Sequence, residues 1–146
     1  GGVVGIDIAE RMCAVTRRRI SRTSLNDRVI LYCCDALPLP LLDRQFDAVF
    51  MSFTLELFDT PDIPRLLGEC KRVLKSGGRI SIVSLVKPEE PSSIVRMYEW
   101  IHRRFPQWVD CRPIYAKRAL MAAGFKIKLS QVRPMFGLAV ALVLAI

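Results

Sequence analysis

Two aspartates stand where a carboxylate does ligand chemistry. Asp7 closes the apolar run Val3-Val4-Gly5-Ile6, and Asp35 follows the run from Val29 to Cys34. In doubly wound α/β folds an acid at the carboxyl end of a parallel strand accepts hydrogen bonds from ribose hydroxyls, about 20 residues after a glycine-rich turn. Asp7 suits that role. It also suits a second one, as an N-terminal carboxylate favoured by the dipole of a helix starting near Ala9. Asp35 stands before Ala36-Leu37-Pro38, where an aspartate bonds its own downstream backbone and opens a turn. The sole histidine, His102, shares an aromatic stretch with Tyr98 and Trp100. Its chemistry is that of a general base, and its alternative is an exposed or structurally bonded ring beside Arg103-Arg104.

Other reactive residue types point away from further chemistry. The five cysteines, Cys13, Cys33, Cys34, Cys70 and Cys111, form no C-x-x-C pair and have no histidine at metal spacing. They read as reduced, buried thiols of a cytoplasmic protein, and no metal is expected. A net charge of +8 attracts polyanions and anionic lipid surfaces in general terms. The densest basic cluster, Arg17-Arg18-Arg19 with Arg22, has no interleaved aromatic residues, so it reads as a solvated helix face and no nucleic-acid partner is expected. The longest apolar run, 137–146, is half the length of a membrane span and reads as a strand. Peripheral membrane contact stays compatible with the charge.

The elements that must position these residues alternate in type. Strands are expected at 3–6, 29–33, 47–53 and 79–85, with helices between them feeding a mostly parallel sheet. The clearest helix is 62–74, where Ile63, Leu66, Leu67, Cys70, Val73 and Leu74 form one apolar stripe. Lys71, Arg72 and Lys75 favour its negative end, and Gly77-Gly78 supplies a residue able to take positive φ at its stop. Beyond it, Lys87-Pro88-Glu89-Glu90-Pro91 leads to an aromatic helix at 93–105 that Pro106 ends. A helix at 114–123 closed by Gly124 precedes two strands, 125–132 and 138–146, which pair antiparallel. With 146 residues and 51% hydrophobic content, the chain is read as a single domain over 1–146.

Four segments in one order carry a family resemblance. They are Val3-Val4-Gly5-Ile6-Asp7-Ile8, then Asp35-Ala36 with Leu39-Pro40 and Phe46-Asp47, then Ser52-Phe53, then Arg72-Val73-Leu74-Lys75-Ser76-Gly77-Gly78. Together they resemble the class I S-adenosylmethionine-dependent methyltransferases, and among these the menaquinone and ubiquinone biosynthesis C-methyltransferase group. The resemblance covers essentially the whole chain, and the family pattern D-A-x-x-L-P-x-x-x-x-x-F-D fits from Asp35 to Asp47 without a gap. It implies an α/β, Rossmann-like class I methyltransferase sheet with a C-terminal antiparallel strand pair. The glycine-rich loop that normally wraps the methionine end has no counterpart, so the expected sheet lacks its first strand and that loop, and cofactor binding is expected to be weak.

The resemblance also implies roles. Asp7 binds both ribose hydroxyls, and Ile8 packs on the adenine face, with Met12 either a further adenine contact or a core residue. Asp35 accepts from the adenine amino group while the Ala36 N–H donates to a ring nitrogen. Ser52 lies near the methionine portion, and Phe53 lines the same pocket or is simply buried. Asp47 and Gly77-Gly78 are structural. The implied reaction is methyl transfer from S-adenosylmethionine to a small or lipid-like acceptor, a quinone-type ring carbon among them, with no catalytic residue assigned. A nicotinamide-dependent oxidoreductase would also place Asp7 on ribose, but it gives no role to Asp35-Ala36, Ser52 and the 72–78 segment in that order. A noncatalytic methyltransferase-like remnant acting as an interaction module is the third reading.

Overall fold

Short apolar runs become strands, and the strands pair in two separate sheets. The computed structural model describes residues 1–86, 113–136 and 138–146. They gather into two compact units, Gly1–Pro40 and Leu41–Ile146. The expected loop at 87–91, the helix at 93–105 with Tyr98, Trp100 and His102, and Cys111 fall outside the described residues.

In the first unit β1 (Val3–Asp7) lies parallel to β2 (Val29–Cys33), in register from Val3 opposite Val29 to Asp7 opposite Cys33. Gly5 permits the packing at mid-strand, since a Cβ there would lie 3.0 Å from Leu31 Cδ1. A parallel pair needs a crossover, and α1 (Glu10–Ile20) supplies it, with an acid in its first turn and Arg17, Arg18 and Arg19 in its last. These charges oppose the helix dipole, and the three arginines are exposed as expected of a solvated face. Burial differs from expectation in two places. Val3 is exposed and the rest of β1 is only half-buried, because within this unit the strand has a partner along one edge. Met12 is likewise exposed and does not belong to the core, whereas Cys13, one position on, is fully buried.

The second unit is a four-stranded sheet in the order β3-β4-β6-β5: β3 (Phe46–Ser52), β4 (Leu74–Leu85), β5 (Ile127–Met135) and β6 (Leu138–Ala145). β3 and β4 run parallel, joined by α2 (Ile63–Val73), while β6 is antiparallel to both β4 and β5. The terminal antiparallel pair is as expected, but its second strand occupies the interior of the sheet. Ile80 and Ile82 of β4 and Val140, Val143 and Ala145 of β6 are buried with Leu66, Leu67, Cys70 and Val73 of α2. Each large aliphatic side chain of this core contributes roughly 1.5–3 kcal/mol.

Two local features depart from the sequence reading. β4 begins at Leu74, directly after α2, and pairing jumps from Phe46–Leu74 to Ala48–Arg79. The intervening residues bulge, and Gly77 takes its positive φ of 74° inside that bulge and not as a helix cap. Lys71 does not serve its own helix end either. Its Nζ donates to the Ala123 and Gly124 carbonyls at 3.3 and 3.2 Å, at the end of α3 (Ala116–Ala122). That end carries both bonds of a Schellman motif, Phe125 N–H to Leu120 O and Gly124 N–H to Met121 O, each 3.0 Å, with Gly124 at φ 80°.

Candidate functional site

Asp7 and Asp35 come to one edge for a backbone reason. The Cys34 N–H donates to Asp7 O at 3.1 Å, which carries the β1–β2 pairing one step past the strands. The next residue is Asp35, so both carboxylates stand at the carboxyl end of the parallel pair. Each bends one oxygen into its own turn: Asp7 Oδ1 accepts from Ala9 N–H at 2.9 Å, and Asp35 Oδ1 from Leu37 N–H at 3.0 Å. These are the local roles that the sequence left open as alternatives. They occupy Oδ1 only, and among the described residues no hydrogen bond reaches either Oδ2. Ile8, 71% exposed, offers an apolar surface beside Asp7, and Ala36 is half-buried after Asp35. Each carboxylate thus presents an oxygen able to accept a hydrogen bond, and Ile8 an exposed apolar surface next to Asp7.

Behind this edge lies a thiol. Cys13 Sγ donates to Asp7 O at 3.3 Å. Its contact with the Cys33 side chain, together with burial, pushes its pKa up to about 11. It therefore stays protonated and inert at neutral pH.

Ser52 belongs to the second unit, at the carboxyl end of β3 opposite Val83. The chain leaves the sheet through a tight corner. Phe53 N–H donates to Val83 O at 2.8 Å while Phe53 itself takes φ 51°, and Thr54 Oγ1 donates back to Ser52 O at 3.1 Å. A 3₁₀ turn, Leu55–Leu57, follows and carries Glu56, only 1% exposed. Glu56 Oε1 accepts from Leu85 N–H at 2.9 Å, and burial raises its pKa above that of an ordinary glutamate. Its Oε2 and the Ser84 hydroxyl are buried without a hydrogen-bond partner among the described residues. Sequence reading passed over Glu56. Its one signal was an acid set between Leu55 and Leu57 just past a strand.

The charges of the 72–78 segment are structural. Arg72 forks onto Glu69 at 2.8 and 2.7 Å and reaches Leu41 O and Asp43 at 2.8 and 2.7 Å, tying α2 to the entry of β3. Lys75 pairs with Asp47 at 2.7 Å and holds that carboxyl below its usual range. Asp47 sits near the start of β3, away from the end that carries Ser52.

The family described as a methyltransferase domain matches residues 1–78, more than half of the chain. The chain belongs to that family. Its fold is that of the class I S-adenosylmethionine-dependent methyltransferases. A methyltransferase of this kind from Methanosarcina mazei superposes with a TM-score of 0.76 over 99% of this chain and 81% of that one, at 18% identity. Among curated relatives, the demethylmenaquinone methyltransferase of Symbiobacterium thermophilum is 40% identical over 88 residues, 60% of this chain. The enzyme of the same name from Thermus thermophilus is 32% identical over 145 residues, 86% of this chain. This methyltransferase-family chain spans 34% and 64% of the lengths of those two enzymes.

Proposed function

We propose that this chain transfers a methyl group from S-adenosylmethionine to a small or lipid-like acceptor, a quinone-type ring carbon being the acceptor class. The observation that carries the reading is the pair Asp7 and Asp35 on one strand edge, each with Oδ2 left over after its turn is closed. Asp7 Oδ2 is assigned to the ribose hydroxyls, Asp35 to the adenine amino group, the Ala36 N–H to a ring nitrogen, and Ile8 to the adenine face. Ser52 is assigned to the methionine portion. The names of the curated relatives support the quinone-type acceptor. The family match runs across the division at Pro40, which supports one domain over both units. Free thiols at Cys13, Cys33, Cys34 and Cys70 support a reducing compartment such as the cytoplasm.

When bound, the sulfonium supplies an already activated methyl group. The chain's residues then have little covalent work to do: they bind, orient the methyl carbon toward the acceptor, and exclude water. Asp7 and Asp35 are assigned to setting the nucleoside. No described residue is assigned as a base.

Calorimetric titration of the full chain with S-adenosylmethionine, followed by transfer of a labelled methyl group to a quinone-type acceptor, tests the reading. Binding with label transfer is the expected result. Binding without transfer to any quinone-type ring removes the acceptor assignment, and absence of binding removes the function.

A further inference from the structure

Along the edge of β4 that faces β3, hydrogen-bonding groups recur at every second residue. Val83 O receives Phe53 N–H at 2.8 Å, so the next donor in that row is Leu85 N–H. By this point β3 has ended at Ser52. Glu56 Oε1 takes the vacant place at 2.9 Å, and Leu85 O accepts from Ile114 N–H at 3.1 Å. A side-chain carboxyl thus continues a backbone ladder. Between the two anchors on β4 lies Phe53 in the left-handed region, at φ 51°. A bulky residue is costly there, and such a conformation persists only where the surroundings over-determine it. The anchors that over-determine it are Phe53 N–H on Val83 and Glu56 on Leu85.

We infer that Glu56 is a positioning residue of the cofactor site: by pinning the far end of the 53–56 corner to Leu85 it holds Phe53 left-handed and fixes where Ser52 stands. The inference rests on the proposed assignment of Ser52 to the methionine portion. Glu56 acts through the corner and touches no ligand itself. Burial raises the pKa of its carboxyl, and Oε1 is the oxygen that accepts from Leu85 N–H. Glutamine keeps that acceptor and its reach, with a carbonyl oxygen for Leu85 and an amide nitrogen in place of the second oxygen. Aspartate, one methylene shorter, keeps the acid but not the reach. The open crevice at the carboxyl ends of parallel strands is where α/β sheets hold ligands, and the corner lies at that end of β3 and β4.

The test is the affinity of the full chain for S-adenosylmethionine and, separately, for adenosine, in the wild type and in Glu56→Gln, Glu56→Leu and Glu56→Asp. Glu56→Gln is expected to match the wild type for both ligands. Glu56→Leu and Glu56→Asp are expected to lose about tenfold in S-adenosylmethionine affinity, the scale of one hydrogen bond, with adenosine affinity unchanged. The Asp variant keeps the test open if Leu does not fold. A general structural role would move both ligands together. Equal losses for both ligands, or no loss in any variant, overturn the inference while leaving the functional reading intact. A wild type that binds neither ligand overturns the functional reading itself, and this one with it.

Discussion

Cys34 and Asp7 are joined backbone to backbone, Cys34 N–H to Asp7 O at 3.1 Å, and this single bond sets Asp35 on the same edge as Asp7. Twenty-eight positions of sequence separate two carboxylates that one extra rung of a parallel ladder brings to a common end.

Asp7→Ala is expected to weaken S-adenosylmethionine binding by roughly 1.5–3 kcal/mol, the scale of hydrogen bonds to a charged group. Calorimetry measures it, with circular dichroism confirming that α1 survives loss of the Ala9 N–H bond. Undiminished affinity in a folded variant would leave Asp7 only its turn.

At Asp35 the shape of the turn and the reading of the base separate. Asp35→Asn keeps an oxygen for Leu37 N–H and should lose about 1 kcal/mol of cofactor affinity. Asp35→Ala loses both functions. Competition between adenosine and guanosine is the informative measurement: discrimination that survives in the Ala variant assigns Asp35 to the turn alone.

Glu56 makes stability depend on pH in a defined direction. Its unfolded-state value is near 4.5 and burial raises the folded value. Below 4.5 both states keep the proton and no penalty arises. As pH climbs past 4.5 the unfolded chain ionises first, so stability falls until the pH passes the raised folded value and then levels off. Glu56→Gln abolishes that slope. Urea midpoints should therefore show the Gln variant more stable than wild type at pH 7 and equal to it at pH 4. Parallel curves for the two proteins would contradict the raised value.

Gly124 is the cap of α3 at φ 80°, and a Cβ there would also lie 2.7 Å from Lys71 Nζ. Gly124→Ala should cost about 1–2 kcal/mol, nearly all from the left-handed backbone, because the lysine end can move aside. Lys71→Met separates the parts. It frees the space yet leaves the Ala123 and Gly124 carbonyls without their cation, and urea unfolding should show a smaller loss than Gly124→Ala.

Local periodicity was enough to place β1, β2 and β3 within a residue or two, the apolar stripe of α2 from Ile63 to Val73, and Gly124 as a stop, because each is written in neighbouring side chains. The same holds for Asp7 and Asp35, whose turns are built from residues two positions on. What local pattern cannot encode is which distant group completes a bond. Lys71 reads as a charge for its own helix end, but the packing of α2 beside α3 sends it to Ala123 and Gly124. The final strand reads as one half of a hairpin, yet β4 offers it a second partner and draws it to the interior of the sheet. Glu56 stands in no local pattern that marks its burial. Only the end of β3 beside a still-extended β4 leaves Leu85 N–H in need of an acceptor, and that unmet bond, formed across 29 positions, decided where the carboxyl went.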